Sequence, residues 1–345
     1  MTALPAFEAV SKIEAELSAF WSMPDEQTGL PQSKVRSSTM SYVIVAAQAE
    51  IERARQTTEA LSDTHPGRAF VLTTDGHLAP WDVSYDVRAA CRLDGGSLPI
   101  CYDWIEMAFG SMATERSGSV VAALALPEVP IVLELGRGAA RTLCSSLVPR
   151  AERIIVDSAH TSATRIAELL KGSSVGVGDR QFVRTFSYRE LVARFFDDAL
   201  LALPCIRKVT IGRTPNGATD PAALFLGWLG SRLGFRFETK TSAKDKLGNA
   251  VEIVLVDEPR SDLDPGQLTC VAIETSLGGE PLSLSCVRDK PTCVTWSRSG
   301  ARSATHEHAL GHRDEAWVLV KALDSQEADR VYREALTLAV LWSAL

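Results

Sequence analysis

The feature that most constrains the fold is an apolar run, a helical pattern and a second apolar run in close succession. Residues 42–47 form the first run and residues 69–72 the second. Continuous apolar runs of this length are typical of strands buried on both faces of a sheet. Residues 51–61 between them follow a helical spacing, which His65-Pro66-Gly67 ends. The segment therefore predicts a β-α-β unit and the chain an α/β fold.

Predicted helices and strands alternate up to about residue 204, and mostly strands are predicted after it. Before that point we expect helices over 7–21, 120–126 and 162–170 and strands over 83–89, 98–105, 131–135 and 153–156. After it we expect strands over 206–211, 251–256, 268–274, 282–288 and 293–297, with a last helix opened by Asp324 and Glu327. The predicted organisation is an N-terminal helix and linker (1–38), an α/β domain with a mixed sheet (39–204), and a smaller α+β domain with an antiparallel sheet (205–345).

Two helices carry local start signals. Ser187 and Glu190 have the spacing of a capping box, in which a hydroxyl and a carboxylate each satisfy one unpaired amide, so we expect a helix to start there. Asp220 precedes Pro221, which suits the first helical position, and Gly234 suits a helix end. These signals predict a helix over 221–233.

Composition excludes several classes of protein. The chain has 345 residues, 46% of them hydrophobic, and a net charge of −7, which provides no attraction for nucleic acid or an anionic membrane. No run of 18 apolar residues occurs, and the first 16 residues lack the pattern of a signal peptide, so we expect a cytoplasmic protein. The seven cysteines form no C-x-x-C pair and are interpreted as mostly buried, reduced thiols.

Motifs for catalysis and cofactor binding are sparse. The chain has no G-x-G-x-x-G after a strand, no Walker A motif, no G-x-S-x-G elbow at a strand-to-helix turn and no H-E-x-x-H, and we expect no catalytic residues and no cofactor. Gly136 and Gly138 follow a predicted strand and could present amides to a phosphate, although turn geometry also explains them. His306, His308 and His312 have metal-like spacing, but the segment 303–314 is typical of an exposed connection, so no metal site is predicted.

Two further pairs of residues leave alternatives open. Asp197 and Asp198 stand near the end of a predicted helix, where carboxylates oppose the helix dipole. They start the next turn or present acids to a basic partner surface. Cys286 and Cys293 lie on predicted neighbouring strands, either as core thiols or as a redox pair.

The order of several segments resembles one known family over nearly the whole chain. The most specific is residues 188–198, with a double aromatic followed by a double acid. The others are residues 34–45, 65–68, 101–105, 125–130, 154–158, 220–234 and 329–336. Together they resemble the glucose-6-phosphate dehydrogenase assembly protein family, OpcA. The chain departs from the family where Leu133-Glu134-Leu135-Gly136 stands in place of a pair of tryptophans, and where Tyr188 stands in place of a tryptophan.

The resemblance implies a non-catalytic protein that binds glucose-6-phosphate dehydrogenase, promotes its oligomeric state and raises its activity in the oxidative pentose phosphate pathway. Residues drawn from the matching segments are the candidates for contact with that partner: Arg36, Arg68, Asp197, Asp198 and Arg232. The alternative is an α/β enzyme or binding protein acting on a phosphorylated sugar or nucleotide, which the α/β first half and Gly136 and Gly138 favour.

Overall fold

A computed structural model describes residues 3–22, 38–62, 64–93, 99–300, 303–310, 314–324 and 328–345. Its contacts divide the chain into two compact units. The first comprises Met1–Val156 with Val175–Val177, and the second comprises Asp157–Ser174 with Gly178–Leu345. The predicted boundary after residue 204 lies within the second unit. Among the described residues, no helix is both long and apolar enough to cross a membrane.

The first unit is an α/β layer structure, as the apolar runs predict. Its helices are α1 (Ala6–Ser22), α2 (Ile51–Ser62), α3 (Ser117–Leu124) and α4 (Arg141–Leu147). Its strands are β1 (Ala3–Pro5), β2 (Met40–Val45), β3 (Gly67–Thr74), β4 (Asp82–Leu93), β5 (Pro99–Phe109), β6 (Ile131–Leu135) and β7 (Arg153–Val156), and β8 (Gly176–Asp179) runs on into the second unit.

The sheet has the strand order β1-β4-β5-β3-β2-β6-β7-β8. Strands β5, β3, β2, β6 and β7 are parallel to their neighbours in this order, whereas β4 forms an antiparallel hairpin with β5. Without β1 and the inserted β4, the order is that of the doubly wound dinucleotide-binding fold, which reverses between its first and fourth strands. Here the reversal lies between β2 and β6, and it is where such folds place a ligand.

Helix α1 packs on this sheet through one stripe of its surface. Its buried residues are Ala6, Ala9, Ile13 and Leu17, while Phe7 is 82% exposed. The 3.6-residue period allows more than one stripe, and the sheet selects the one with small residues at its start. The predicted helix is therefore confirmed, and Phe7 lies outside its buried stripe.

The second unit combines an eight-stranded sheet with six helices in its described residues. The helices are α5 (Ala163–Leu170), α6 (Arg180–Arg184), α7 (Phe186–Asp197), α8 (Pro221–Leu233), α9 (Glu315–Asp324) and α10 (Ala328–Ala344). The strands are β9 (Lys208–Arg213), β10 (Arg236–Thr239), β11 (Ser242–Lys244), β12 (Ala250–Asp257), β13 (Leu268–Leu277), β14 (Glu280–Lys290), β15 (Cys293–Ser299) and β16 (Ala304–Ala309).

Its sheet has the order β10-β11-β12-β9-β13-β14-β15-β16. The sheet is antiparallel as predicted, apart from one parallel pair, β9 with β12. Helices α8 and α10 approach so closely that a Cβ on Gly227 would lie 2.1 Å from the carbonyl oxygen of Ala335. Only glycine allows this backbone contact. The largest side chains buried in this unit include Trp342, Tyr332 and Phe225.

Local signals succeed at α8 and fail at α7. The Asp220 side chain accepts a hydrogen bond from the Ala222 amide, and Gly234 ends α8 with a φ of +72°. At α7, by contrast, Ser187 is already inside the helix and fully buried. The chain becomes helical earlier, at α6, where Asp179 accepts from the amide of Gln181. The predicted capping box is therefore wrong, because the chain is already helical before Ser187. Thr185 stands at the cap position of α7, and its hydroxyl donates to the Phe182 carbonyl instead.

Candidate functional site

The crevice between β2 and β6 is where a fold with this strand order places a ligand, because the order reverses there. The chain leaves β2 through Ala46 and Ala47 and leaves β6 through Gly136 and Gly138, so the two loops face each other. The Ala47 amide donates to the Arg137 carbonyl at 3.1 Å, and the Gly136 amide donates to the Val45 carbonyl at 2.8 Å. The amides of Ala47 and Gly136 are thus bonded to the opposite loop.

Space at this crevice is filled as well. A Cβ on Gly138 would lie 2.9 Å from the Cβ of Ala47, and one on Gly136 would lie 2.8 Å from the Val45 carbonyl oxygen. Gly138 also has a φ of +68°, which L side chains rarely adopt. The glycines serve a tight turn between two loops in contact. A pyrophosphate needs a glycine-rich turn open to the ligand, and this crevice does not provide one.

A cleft of about 400 Å³ lies in the second unit, and its walls are mostly polar. Arg288 on this wall donates to the Gln267 side chain at 2.6 Å and to the Pro291 carbonyl at 2.7 Å. Four carboxylate residues also line the cleft: Asp262, Asp264, Asp314 and Glu315. Acidic lining of this kind disfavours a phosphorylated ligand, because like charges repel.

A buried ion-pair network forms one end of the cleft. Arg184 binds both oxygens of Asp157 at 2.9 Å and also binds Glu315 at 2.8 Å. Arg180 reaches the same Glu315 carboxylate at 3.0 Å. Although burial opposes ionisation, the two guanidinium groups hold the pKa of Asp157 and of Glu315 below their usual values. The network is thus fully ionised at neutral pH.

Asp179, next to this network, behaves in the opposite way. Its carboxyl is fully enclosed, and burial together with the nearby Asp157 charge raises its pKa to about 6. One of its oxygens accepts from the amides of Ser158 and Gln181 at 3.1 and 2.9 Å. The bond from Ser158 ties the end of β8 to the segment that follows β7, and the bond from Gln181 caps the start of α6. A perturbed pKa is common at catalytic sites, but here the carboxyl is enclosed by its own unit and serves as a structural cap.

The exposed side of α7 is the strongest candidate for a contact surface. We define the α7 surface as the exposed apolar and acidic residues of this helix and of the turn that follows it: Phe186, Ala193, Asp197, Asp198, Leu200 and Leu201. Phe186 is 47% exposed, Leu200 64% and Leu201 80%. Exposed apolar side chains next to charges are typical of protein interfaces. The two acids could be singled out from the sequence, but the apolar residues could not, because their exposure depends on the packing of α7.

The two acids of this surface are almost unused by the fold. Asp197 has no ion-pair partner among the described residues, and Asp198 approaches Arg298 only at 3.9 Å. Both lie at the C-terminal end of α7, where the helix dipole disfavours negative charge by about 0.3 to 1 kcal/mol each. Their position favours a role outside the unit, in line with the partner-binding alternative.

The other candidate partner residues are placed differently. Arg36 lies outside the described residues. Arg68 is buried and binds Asp103 at 3.0 Å and Glu14 of α1 at 3.3 Å, so it ties that helix to the sheet. Arg232 of α8 forms an ion pair with Glu334 of α10. Both arginines are engaged within their own units, and their contact with a partner stays a prediction.

The cysteine and histidine candidates also find defined places. In the strand register, Cys286 lies opposite Trp296, and Cys293 lies opposite Lys290. The two free thiols are thus offset by three residues, about 10 Å along the strands, and a bridge would require the strands to shift. His306 and His308 lie on β16, and His312 is outside the described residues. No group of three or more His, Cys, Asp or Glu in the described ranges could hold a metal ion.

Comparisons with known proteins identify two family domains along the chain, both of them domains of a glucose-6-phosphate dehydrogenase subunit. The N-terminal domain of this family matches residues 58–171, and its C-terminal domain matches residues 175–336. Both carry the designation OpcA. No curated protein matches the chain.

Several solved structures match most of the chain at low sequence identity. A variant of KijD10, a 3-ketoreductase from Actinomadura kijaniata, is 13% identical over 90% of this chain and 97% of that chain, with a TM-score of 0.46. The transcriptional regulator Gal80p from Kluyveromyces lactis is 9% identical over 90% and 92%, with a TM-score of 0.47. An oxidoreductase from Sinorhizobium meliloti is 10% identical over 89% and 88%, with a TM-score of 0.44.

Proposed function

The chain belongs to the OpcA family of glucose-6-phosphate dehydrogenase subunits, and from this we propose that it is a non-catalytic assembly factor and allosteric activator of that dehydrogenase. The observation that carries the proposal is the match of both family domains, in order, along the chain. The family role is association with the dehydrogenase. Activation and the absence of catalysis are our inferences.

The crevice between β2 and β6, closed by contacts between its two loops, supports a role without catalysis. A dehydrogenase built on this strand order binds its cofactor where the order reverses, with backbone amides on the pyrophosphate. Here the amides of Ala47 and Gly136, one on each loop of the crevice, donate to the protein's own carbonyls. The same contacts argue against the alternative, a site for a phosphorylated sugar or nucleotide at Gly136 and Gly138.

Activation follows from differential binding. A protein can raise the activity of another only if it binds the competent oligomer or conformer more tightly than the incompetent one. A preference of about 1 to 3 kcal/mol corresponds to a 5- to 150-fold effect. The α7 surface offers a contact for such binding, because its exposed leucines and its two acids are left almost unused by the fold.

Binding to the purified cognate dehydrogenase tests this proposal. The two proteins are mixed and followed by sedimentation velocity, with the double variant Asp197→Lys and Asp198→Lys in parallel. We expect a complex with the wild type and a weaker one with the variant. Reversal of Glu190 and Arg194, an exposed ion pair on the same helix, leaves the net charge unchanged and serves as the control. Failure of the wild type to form any complex would refute the proposal.

A further inference from the structure

The N-terminal end of α7 holds an arginine whose charge the fold leaves without a counter-ion. The guanidinium of Arg189 lies 3.7 Å from the ring centroid of Phe182, 5.7 Å from that of Phe186 and 6.0 Å from that of Trp228. In the described part of the chain, no carboxylate lies within salt-bridge distance of it. The adjacent Glu190 is instead bonded to Arg194 at 2.6 Å.

The hydrogen bonds of Arg189 go to neutral oxygens only. Its Nε donates to the Thr185 hydroxyl at 3.1 Å, and its Nη2 donates to the Phe182 carbonyl at 3.0 Å. A guanidinium has five N–H donors in a planar fork, and these two bonds leave the Nη1 edge for an external acceptor. Burial among the rings, with no compensating carboxylate, lowers the pKa of Arg189 to about 9. The group is still a cation at neutral pH.

The surroundings of Arg189 favour a protein partner. Arg189 is partly exposed, and Phe186 beside it is 47% exposed, so both can be reached from solvent. Neither residue lines the cleft of about 400 Å³. Arginine and aromatic side chains are among the residues most enriched at the energetic centres of protein interfaces. A planar guanidinium fork matches a carboxylate with two parallel hydrogen bonds.

We propose that Arg189, held by Phe182, Phe186 and Trp228, is an anchor that binds an aspartate or glutamate side chain on the surface of the dehydrogenase. This inference rests on the proposed function and deepens it. The two ends of the α7 surface then bind partner groups of opposite charge. Its N-terminal end receives an acid of the partner, and Asp197, about two helical turns away, faces a base. Opposite charges at the two ends fix the orientation in which the partner docks.

Affinity measurements on single variants test the anchor. The dissociation constant for the purified dehydrogenase is measured by isothermal titration with the wild type, Arg189→Gln, Arg189→Lys and Phe186→Ser. The matched control is Arg194→Gln, which removes the same charge from the same helix at a site already paired with Glu190. We expect Arg189→Gln and Phe186→Ser to weaken binding at least about tenfold, and Arg189→Lys to lie between, because lysine keeps the charge but not the fork. Arg194→Gln should stay within about threefold.

The outcomes separate this inference from the function on which it rests. If the wild type does not bind the dehydrogenase, the proposed function fails. If it binds and both Arg189→Gln and Phe186→Ser bind equally well, the anchor is refuted. Phe186→Ser changes an exposed side chain, so it reports on the surface even if Arg189→Gln unfolds the helix. Self-association of the wild type that Arg189→Gln abolishes, with unchanged dehydrogenase affinity, would assign the site to a second copy and also overturn the proposal. Stabilisation by inorganic phosphate that needs Arg189, again with unchanged affinity, would overturn it in favour of a free anion.

Discussion

Arg184 and Asp157 form a bidentate ion pair with both N–O distances at 2.9 Å, in the part of the second unit where α6 meets the residue that follows β7. Both side chains are largely buried, and Glu315 of α9 binds the same guanidinium. Removing one member of such a pair leaves a buried charge without compensation. The pair therefore stabilises the packing of α6, on which α7 and its surface follow directly.

The substitution Arg184→Gln should lower the free energy of unfolding by about 3 to 5 kcal/mol, because Asp157 and Glu315 lose their shared cation. Urea titration followed by circular dichroism measures the change. Arg194→Gln is the control, since its exposed pair with Glu190 should contribute less than about 1 kcal/mol. Equal midpoints for the two variants would show that the network is not stabilising.

Asp179 should make stability depend on pH between about 4 and 6. Its pKa is raised to about 6 in the folded state, so the folded state binds more protons than the unfolded state in this window. The stability that the protonated Asp179 carboxyl contributes is therefore fully present below the pKa of this residue in the unfolded chain. It is lost as the pH rises to about 6, the pKa in the folded state. The lowered pKa of Asp157 acts in the opposite direction, with stability lost only as pH falls below about 4.

The variant Asp179→Asn isolates this effect, because the amide oxygen can still accept from Ser158 and Gln181. We expect its stability relative to the wild type to rise between pH 4 and 6 and then to stay constant, reaching about 2 to 3 kcal/mol. Thermal unfolding across this range checks the trend. A difference that is independent of pH would contradict it.

Gly227 should be intolerant of any side chain. A Cβ there would meet the Ala335 carbonyl oxygen at 2.1 Å, so Gly227→Ala must push α8 and α10 apart. The expected cost is about 1 to 3 kcal/mol or more, measured as a lower melting temperature. Gly76→Ala, where nothing lies within 4 Å of the new Cβ, should leave it unchanged. An unchanged melting temperature for Gly227→Ala would mean that the helices can separate without loss.

The closed crevice predicts that the chain alone does not bind NADP. Thermal shift with millimolar NADP or NADPH should give no stabilisation, whereas a ligand present at 100 times its Kd adds about 2.7 kcal/mol. The amides of Ala47 and Gly136 at this crevice are already bonded within the fold. A saturable shift would instead favour the enzyme alternative raised by Gly136 and Gly138.

The fold was predictable where the signal is local. Asp220 caps the start of α8 and Gly234 ends it, as the sequence predicts, because a cap and a left-handed glycine act on adjacent residues. The strand β16 was missed, since Thr305, His306 and Glu307 are all exposed on an edge strand and carry no apolar alternation. Ser187 misled the prediction of α7, because the chain is already helical in α6, whose start Asp179 caps.

The candidate site was predictable only in part, for the same reason. Asp197 and Asp198 could be singled out, since acids at a helix end conflict with its dipole. Arg189 could not be singled out, because its enclosure by Phe182, Phe186 and Trp228 depends on the packing of the unit. Trp228 lies on another helix, α8. Contacts between distant parts of the chain leave no pattern in one sequence.

The most direct test of the central claim is the steady-state activity of the cognate dehydrogenase titrated with the purified chain. We predict a saturable rise in kcat/KM for glucose 6-phosphate of between about 5- and 150-fold, with no NADP reduction by the chain alone. Dehydrogenase activity that stays the same at saturating chain, or turnover of glucose 6-phosphate by the chain without the dehydrogenase, would contradict the claim.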